Sequence, residues 1–185
     1  MSKDNQQIKN ICVYCGSGDG LTPLYKQTAI QVGADIAKHN MTLVYGGGST
    51  GLMGAAAQSA LDHGGYVTGI IPEFLQDREV MLEECSELII TQNMHERKML
   101  FFEKSDAFIA LPGGIGTLEE LVEMMTWKQL GRHKKKVLIA NVNGFWDPLI
   151  ALLAQMQDET FIRTGMEVEF LVANQPEEII PLLLS

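Results

Sequence analysis

Short apolar segments recur along this chain, and most are followed by a turn rich in glycine or proline and then by a helical pattern. Apolar runs of four or five residues are typical of strands that are buried on both faces of a sheet. Strands that alternate with helices predict a parallel sheet. We therefore predict a Rossmann-like, doubly wound α/β fold, with helices on both faces of the sheet, formed by a single domain over residues 1–185. The predicted strands cover residues 11–15, 42–45, 66–71, 88–91, 107–111, 137–140 and 170–172.

The predicted helices fill the intervals between these strands. Residues 73–86 are irregular and acidic, and we expect a short helix or a loop across the top of the sheet there. The predicted helices cover about 23–38, an alanine-rich segment ending near 63, 94–105, a segment reaching about 129, 147–157 and 176–184.

Three glycine-rich turns, at 16–20, 46–54 and 113–116, each follow a predicted strand. In a doubly wound sheet, ligands bind beyond the carboxyl ends of the strands, so these turns are expected to meet at one crevice. The turn at 113–116 leads directly into a helix, and such a turn aims backbone N–H groups and the positive end of the helix dipole at one point. Gly113, Gly114 and Gly116 let the backbone approach a ligand closely. The pattern predicts a phosphate site.

The same stretch has a purely structural interpretation. Thr117 and Glu120 have the spacing of a capping box, in which the two side chains close the first turn of their own helix. A simple cap does not need Pro112 and three glycines upstream, and these residues favour the phosphate site.

Other motifs are weaker. Gly46-x-Gly48-x-x-Gly51, with Glu73 downstream, matches a dinucleotide fingerprint, but it follows the second strand and leaves the other two glycine turns unexplained. The four histidines are scattered without ligand spacing, so a metal site is not expected. Cys12 and Cys15 lie on a predicted strand, which puts their thiols on opposite faces, and we expect inert buried cysteines.

Arg97 and Lys98 lie near the start of a predicted helix, where a cation is electrostatically unfavourable. An anion that these side chains must meet would explain their position. The alternative is an exposed helix in which Lys98 pairs with an acidic neighbour such as Glu103.

The net charge of −9 argues against a nucleic-acid partner, which normally requires a basic face. The first nine residues are polar, and no apolar run approaches the roughly 20 residues of a membrane span. We therefore expect a cytoplasmic protein with no membrane partner.

The segment Pro112–Glu120 resembles the PGGxGTxxE signature of the LOG family, the cytokinin riboside 5′-monophosphate phosphoribohydrolases once labelled lysine decarboxylase-like. The resemblance extends over nearly the whole chain. It includes the motifs Cys15-Gly16-Ser17, Tyr45-Gly46-Gly47-Gly48, Gly51-Leu52-Met53-Gly54, Met94-His95-Glu96-Arg97-Lys98 and Met125-Thr126-Trp127.

The resemblance implies that the chain hydrolyses the N-glycosidic bond of nucleoside 5′-monophosphates, with Arg97 and Glu120 as the catalytic pair and without a metal or cofactor. It also implies a homodimer whose neighbouring subunit closes the site. The residues placed around the nucleotide are Glu79, Lys98, Gly113, Gly114, Ile115, Gly116, Thr117, Leu118, Glu119, Thr126, Ser17 and Gly47.

A carboxylate suits this reaction because bond cleavage builds oxocarbenium character on the sugar, and Glu120 would stabilise that charge or activate water. A non-catalytic nucleotide or cofactor carrier on the same fold remains the alternative, since glycine turns alone would serve it. The preference between adenine and an N6-prenylated adenine stays open. The apolar segment 94–102 is the expected contributor to the dimer interface.

Overall fold

The computed structural model describes residues 7–76 and 81–185. Three short 3₁₀ turns supplement the regular elements, at Glu73–Leu75, Val142–Gly144 and Pro176–Glu178. The predicted closing helix is therefore a 3₁₀ turn followed by a short α helix. The elements in chain order are β1 (Asn10–Tyr14), α1 (Pro23–Lys38), β2 (Thr42–Tyr45), α2 (Gly51–Asp62), β3 (Tyr66–Pro72), β4 (Glu87–Thr91), α3 (Met94–Lys104), β5 (Ala107–Ala110), α4 (Ile115–Gln129), β6 (Lys136–Ala140), α5 (Asp147–Asp158), β7 (Leu171–Ala173) and α6 (Ile179–Leu184).

The strands form one sheet in the order β4-β3-β2-β1-β5-β6-β7, and every pair of neighbours is parallel. The order runs outward in both directions from β1, so the sheet is doubly wound, as predicted. The switch point lies between β1 and β5, where the connections leave to opposite faces and open a crevice.

Two hydrophobic cores cover the sheet. On one face α1, α2 and α6 contribute side chains such as Val32, Leu52 and Ile179. On the other face α3 and α4 contribute Phe101 and Leu121, with α5 packed against them. A sheet buried on both faces explains why the strands are apolar runs without alternation.

The cysteines follow this division of the core. Cys12 packs on the side of α3 and α4, and Cys15 packs on the side of α1 and α2, so the two thiols lie on opposite faces. Both are buried and free, and burial raises the pKa of each thiol well above its ordinary value. They are therefore protonated structural groups near neutral pH.

After β3 the described chain continues through the 3₁₀ turn at Glu73–Leu75, and it resumes at Met81. Met81 forms an antiparallel bridge with Gly48, and the Leu82 N–H donates to the Gly47 carbonyl at 3.1 Å. Residues 81 and 82 are thus attached to the loop that follows β2. Glu79, expected near the nucleotide, lies outside the described residues.

Within the described ranges 7–76 and 81–185, the α helices are too short or too polar to cross a membrane.

Candidate active site at the switch point

Three loops meet at Gly16, just beyond the end of β1. The Gly16 N–H donates to the Pro112 carbonyl at 3.1 Å, which ties the β1 loop to the β5 loop. The Gly16 carbonyl accepts from the N–H groups of Leu52 and Met53, at 3.1 and 3.3 Å, which ties it to the start of α2. The glycine turns that were predicted to meet therefore form one connected edge.

This arrangement closes the N-terminus of α2. Besides the bonds from Leu52 and Met53 to Gly16, the Thr50 hydroxyl donates to the Ser17 carbonyl at 3.3 Å. Gly51 has a φ of +61°, and a Cβ there would lie 2.2 Å from the Ser17 carbonyl carbon. The helix end that a dinucleotide fingerprint would offer to a pyrophosphate is thus satisfied by the protein itself. The Gly46–Gly51 match is explained by packing.

The N-terminus of α4 is open. The helix begins at Ile115, and within the described part of the chain the N–H groups of Ile115, Gly116 and Thr117 have no hydrogen-bond acceptor. Because Thr117 is the third residue of the helix and Gly114 is its N-cap, the capping-box interpretation of Thr117 and Glu120 is wrong. Three unpaired donors and the helix dipole converge on one point, which is the geometry of an anion site.

The glycines of this turn have different roles. A Cβ at Gly113 would lie 2.1 Å from the Thr117 hydroxyl oxygen, so the fold itself requires glycine there. A Cβ at Gly114 or Gly116 would meet nothing within 4 Å, and neither residue has a positive φ. Since the fold does not require these two glycines, the close approach of something outside the chain is the better explanation for them.

A cavity of about 290 Å³ lies in front of this helix start. It is lined by the open turn, by Gly16 and Ser17 from the β1 loop, and by Arg97 and Glu120. The rest of its wall consists of Val13, Tyr14, Cys15, Gly46, Met53 and Phe101.

Arg97 is fixed at the back of the cavity. Its Nε donates to the Ile70 carbonyl at 3.0 Å and its Nη2 to the Gly46 carbonyl at 3.1 Å, and only 7% of the residue is exposed. The guanidinium also lies 5.1 Å from the centre of the Phe101 ring. Its Nη1 is 4.0 Å from Glu120 Oε1. The exposed-helix alternative for Arg97 is therefore wrong.

Glu120 faces Arg97 from the second turn of α4, with 14% of its side chain exposed. Burial raises the pKa of this carboxyl to about 7, although the Arg97 charge acts in the opposite direction. Glu119 and Glu123 add to the rise, and Lys98 opposes it. A carboxyl that titrates near neutral pH in a cavity is typical of a functional group.

Lys98 is not among the residues that line the cavity. Its ammonium group binds the Glu119 carboxylate and lies 3.6 Å from Glu123 Oε1. Burial acts to lower the pKa of Lys98, but the two carboxylates outweigh it and raise the pKa. Without a ligand, the acidic-neighbour interpretation of Lys98 fits the structure, with Glu119 and Glu123 as partners in place of Glu103.

The structure places the predicted site residues in two groups. Arg97, Glu120, Ser17 and the turn residues Gly114, Ile115, Gly116 and Thr117 line the cavity. Leu118 packs into the core, Glu119 and Lys98 pair beside the cavity, and Gly47 binds Leu82 through its carbonyl. Thr126 is exposed, and its hydroxyl donates to the Val122 carbonyl at 2.7 Å.

Several wall residues were not expected from the sequence. Tyr14, Met53 and Phe101 are buried side chains whose ends reach the cavity. The motif at Cys15–Ser17 indicated the loop, but nothing in it marks the strand residues beneath. The carbonyls of Gly46 and Ile70, which orient Arg97, carry no side-chain signal at all.

A doubly wound sheet with an open helix N-terminus and a carboxylate–arginine pair at its switch point defines an α/β protein with a candidate anion site at the carboxyl edge of its sheet. A family model described as "Possible lysine decarboxylase" matches residues 53–183. A cytokinin riboside 5′-monophosphate phosphoribohydrolase from Arabidopsis thaliana is 47% identical over 163 residues, which is 88% of this chain and 75% of that protein. A second one from Arabidopsis thaliana is 42% identical over 183 residues, or 99% of this chain and 86% of that protein. The chain belongs to the LOG family.

Solved structures support the fold. The molybdenum cofactor binding protein from the phototrophic bacterium Rippkaea orientalis aligns with a TM-score of 0.71 and 25% identity over 96% of each chain. The Moco carrier protein from Chlamydomonas reinhardtii aligns with a TM-score of 0.69 and 21% identity, over 95% of this chain and 94% of that one. At that identity, the second likeness shows the fold alone.

The raised pKa of Glu120 predicts a pH-dependent stability. The carboxyl titrates near 7 when folded and near 4.5 otherwise, so between these values the folded state binds more protons than the unfolded state. The contribution of this carboxyl to the free energy of unfolding therefore falls as the pH rises through that window.

Urea titration at several pH values tests this. Between pH 5 and pH 8, the free energy of unfolding of the wild type should fall by about 2–3 kcal/mol relative to that of Glu120→Gln. Glu119→Gln, the same change at the exposed neighbour, should keep the wild-type trend. Parallel pH curves for wild type and Glu120→Gln would contradict the assignment.

Proposed function

We propose that this protein hydrolyses the N-glycosidic bond of nucleoside 5′-monophosphates and releases the free base and ribose 5-phosphate. AMP and N6-modified adenine riboside monophosphates, the cytokinin precursors, are the proposed substrates. One observation carries the proposal: the open start of α4 and the Glu120–Arg97 pair line the same cavity. The end of the cavity at the start of α4 suits a phosphate, and the end at Glu120 suits the sugar carbon of the glycosidic bond.

The phosphate would bind at the start of α4. The N–H groups of Ile115, Gly116 and Thr117 would donate to its oxygens, and the helix dipole would favour its charge. Gly114 and Gly116 leave the backbone accessible there. The proposed contacts of Ser17 with the phosphate, and of Glu79 with the ribose or the attacking water, complete the nucleotide site.

Glu120 would act at the glycosidic carbon. Cleavage develops positive charge on the ribose, and a carboxylate at the end of a buried cavity stabilises that charge more in the transition state than in the ground state. Arg97, held by two backbone carbonyls, would keep Glu120 oriented and favour its ionised form. Glu120 could equally accept a proton from the water that attacks the sugar.

The relatives support this chemistry by their names. Both relatives from Arabidopsis thaliana are named cytokinin riboside 5′-monophosphate phosphoribohydrolase. The lysine decarboxylase description of the family model receives no such support. That chemistry commonly binds its cofactor through a lysine, and among the described residues none of those lining the cavity is a lysine.

The likeness to a molybdenum cofactor binding protein at 25% identity favours a second candidate, a carrier of a nucleotide or cofactor. A carrier needs the open helix start. It has no use for a carboxyl with a pKa near 7 facing a buried arginine. The carboxyl therefore favours the hydrolase.

Glu120→Gln separates the two candidates. The amide keeps the shape of the side chain but cannot carry the negative charge, so turnover of AMP should fall by about 10²–10⁴-fold while AMP still binds. Glu119→Gln is the matched control and should stay near wild-type turnover. Free adenine is measured by chromatography. Turnover within threefold of wild type for Glu120→Gln would contradict the mechanism.

The 5′-phosphate should be required for turnover. Hydrogen bonds to a charged group contribute roughly 1.5–3 kcal/mol each, so two of them correspond to about 10²–10⁴-fold in kcat/KM. AMP should be cleaved, and adenosine at the same concentration left almost untouched. Gly116→Ala, which the fold accommodates, should lower kcat/KM for AMP without lowering the urea midpoint of unfolding. Equal cleavage of adenosine and AMP would show that the turn is not a phosphate site.

We also propose a homodimer. The expected contributor to the interface is α3. It buries Phe101 in the core, and its Leu100 and Phe102 pack against that core, so these apolar side chains already have partners within the chain. The outer face of α4 is the better candidate, because Ile115, Val122 and Leu130 are 81%, 39% and 59% exposed. Ile115 also lines the cavity, so a partner on this face would lie at the mouth of the site.

Sedimentation tests the dimer. The wild-type chain should sediment at twice the monomer mass at micromolar concentration, because the apolar face of α4 is then covered. Val122→Glu should produce monomers, whereas Gln58→Glu on the exposed side of α2 should not. A wild-type chain that sediments as a fully active monomer would contradict the proposed dimer.

A further inference from the structure

A second cavity of about 320 Å³ lies on the other side of the β1 loop. It is bounded by Gly18 in that loop, by Tyr25 and Leu52 at the starts of α1 and α2, and by Pro112 and Phe145. This cavity and the first one lie along the same switch-point crevice. Nothing in the hydrolysis of a nucleoside monophosphate uses it.

The residues that line both cavities indicate which part of a ligand could extend from one cavity into the other. Both are lined by Gly16, Ser17 and Gly114, which border the proposed phosphate position. Arg97 and Glu120 line only the first cavity. A group in the second cavity would therefore connect to a nucleotide through its phosphate and not through its base.

The chemistry of the second cavity is apolar. The rings of Tyr25 and Phe145 meet edge to face at 5.7 Å between centroids, and Leu52 and Pro112 add aliphatic surface. The carboxylate at its rim, Asp19, is already paired with Lys26 at 3.0 Å. An uncharged aromatic or aliphatic group fits this lining, and a second phosphate or a sugar acid does not.

We propose that the second cavity binds an uncharged aromatic or apolar group esterified to the 5′-phosphate of a nucleotide. The protein then accepts 5′-phosphodiesters of nucleosides as ligands, with the phosphate at the start of α4 and its two substituents on opposite sides of the β1 loop. This inference rests on the proposed function for the place of the phosphate and the nucleoside. The remaining charge of a diester still meets the N–H groups of α4.

Two esters of AMP test the proposal. The methyl ester and the phenyl ester of the 5′-phosphate carry the same charge, and they differ only in the group offered to the second cavity. Both esters and AMP are titrated into Glu120→Gln, which should bind nucleotides without cleaving them. By isothermal titration, the phenyl ester should bind this variant roughly tenfold tighter or more than the methyl ester, because its ring leaves water for an aromatic lining. When Gly18→Leu is added, at a position that lines the second cavity and where a Cβ meets nothing within 4 Å, the ratio should fall to about one.

The outcomes are separable. If AMP and both esters bind but the phenyl group brings no gain, this inference is overturned and the proposed function stands. If the phenyl preference persists in Gly18→Leu, the ring binds elsewhere and the inference is also overturned. If neither AMP nor its esters bind, the phosphate site itself is wrong, and the proposed function fails together with the inference.

Discussion

The hydrogen bonds of Gly16 decide which helix end of this protein can receive a ligand. Its carbonyl accepts from Leu52 and Met53 and so closes α2, while its N–H holds Pro112 and so fixes the loop that leads to α4. The donors at the start of α4 are left without a partner in the described chain. Two glycine-rich turns of similar sequence thus differ in structure: one helix end is closed by packing, and the other leaves its donors open in the described chain.

A second constraint is the burial of charge beside that open helix end. Arg97 gives two of its donors to the carbonyls of Ile70 and Gly46, which fixes it where its remaining nitrogen faces Glu120. Burial moves the pKa of Glu120 to about 7, into the range where a carboxyl can exchange a proton at neutral pH. The open start of α4 and the Glu120–Arg97 pair thus line a single cavity.

The sequence predicted the parallel sheet and the meeting of the glycine turns, because strand burial and turn chemistry are local and periodic. It also paired Arg97 with Glu120 through the family resemblance. It favoured the turn at 113–116 over the match at Gly46–Gly51, but it could not show why the second helix end is closed, since that depends on which carbonyls reach the helix end. The family resemblance puts Lys98 and Glu119 at the nucleotide, and the structure adds that the two side chains form an ion pair, which a family signature does not show.

The most direct test of the central claim is to follow backbone amide resonances while ribose 5-phosphate is titrated. Large, saturable shifts are expected for the amides of Ile115, Gly116 and Thr117, since these donors would bind the phosphate. The amides of Leu52 and Met53, already bonded to Gly16, should change little. Shifts centred on Leu52 and Met53, with Ile115–Thr117 unchanged, would contradict the account.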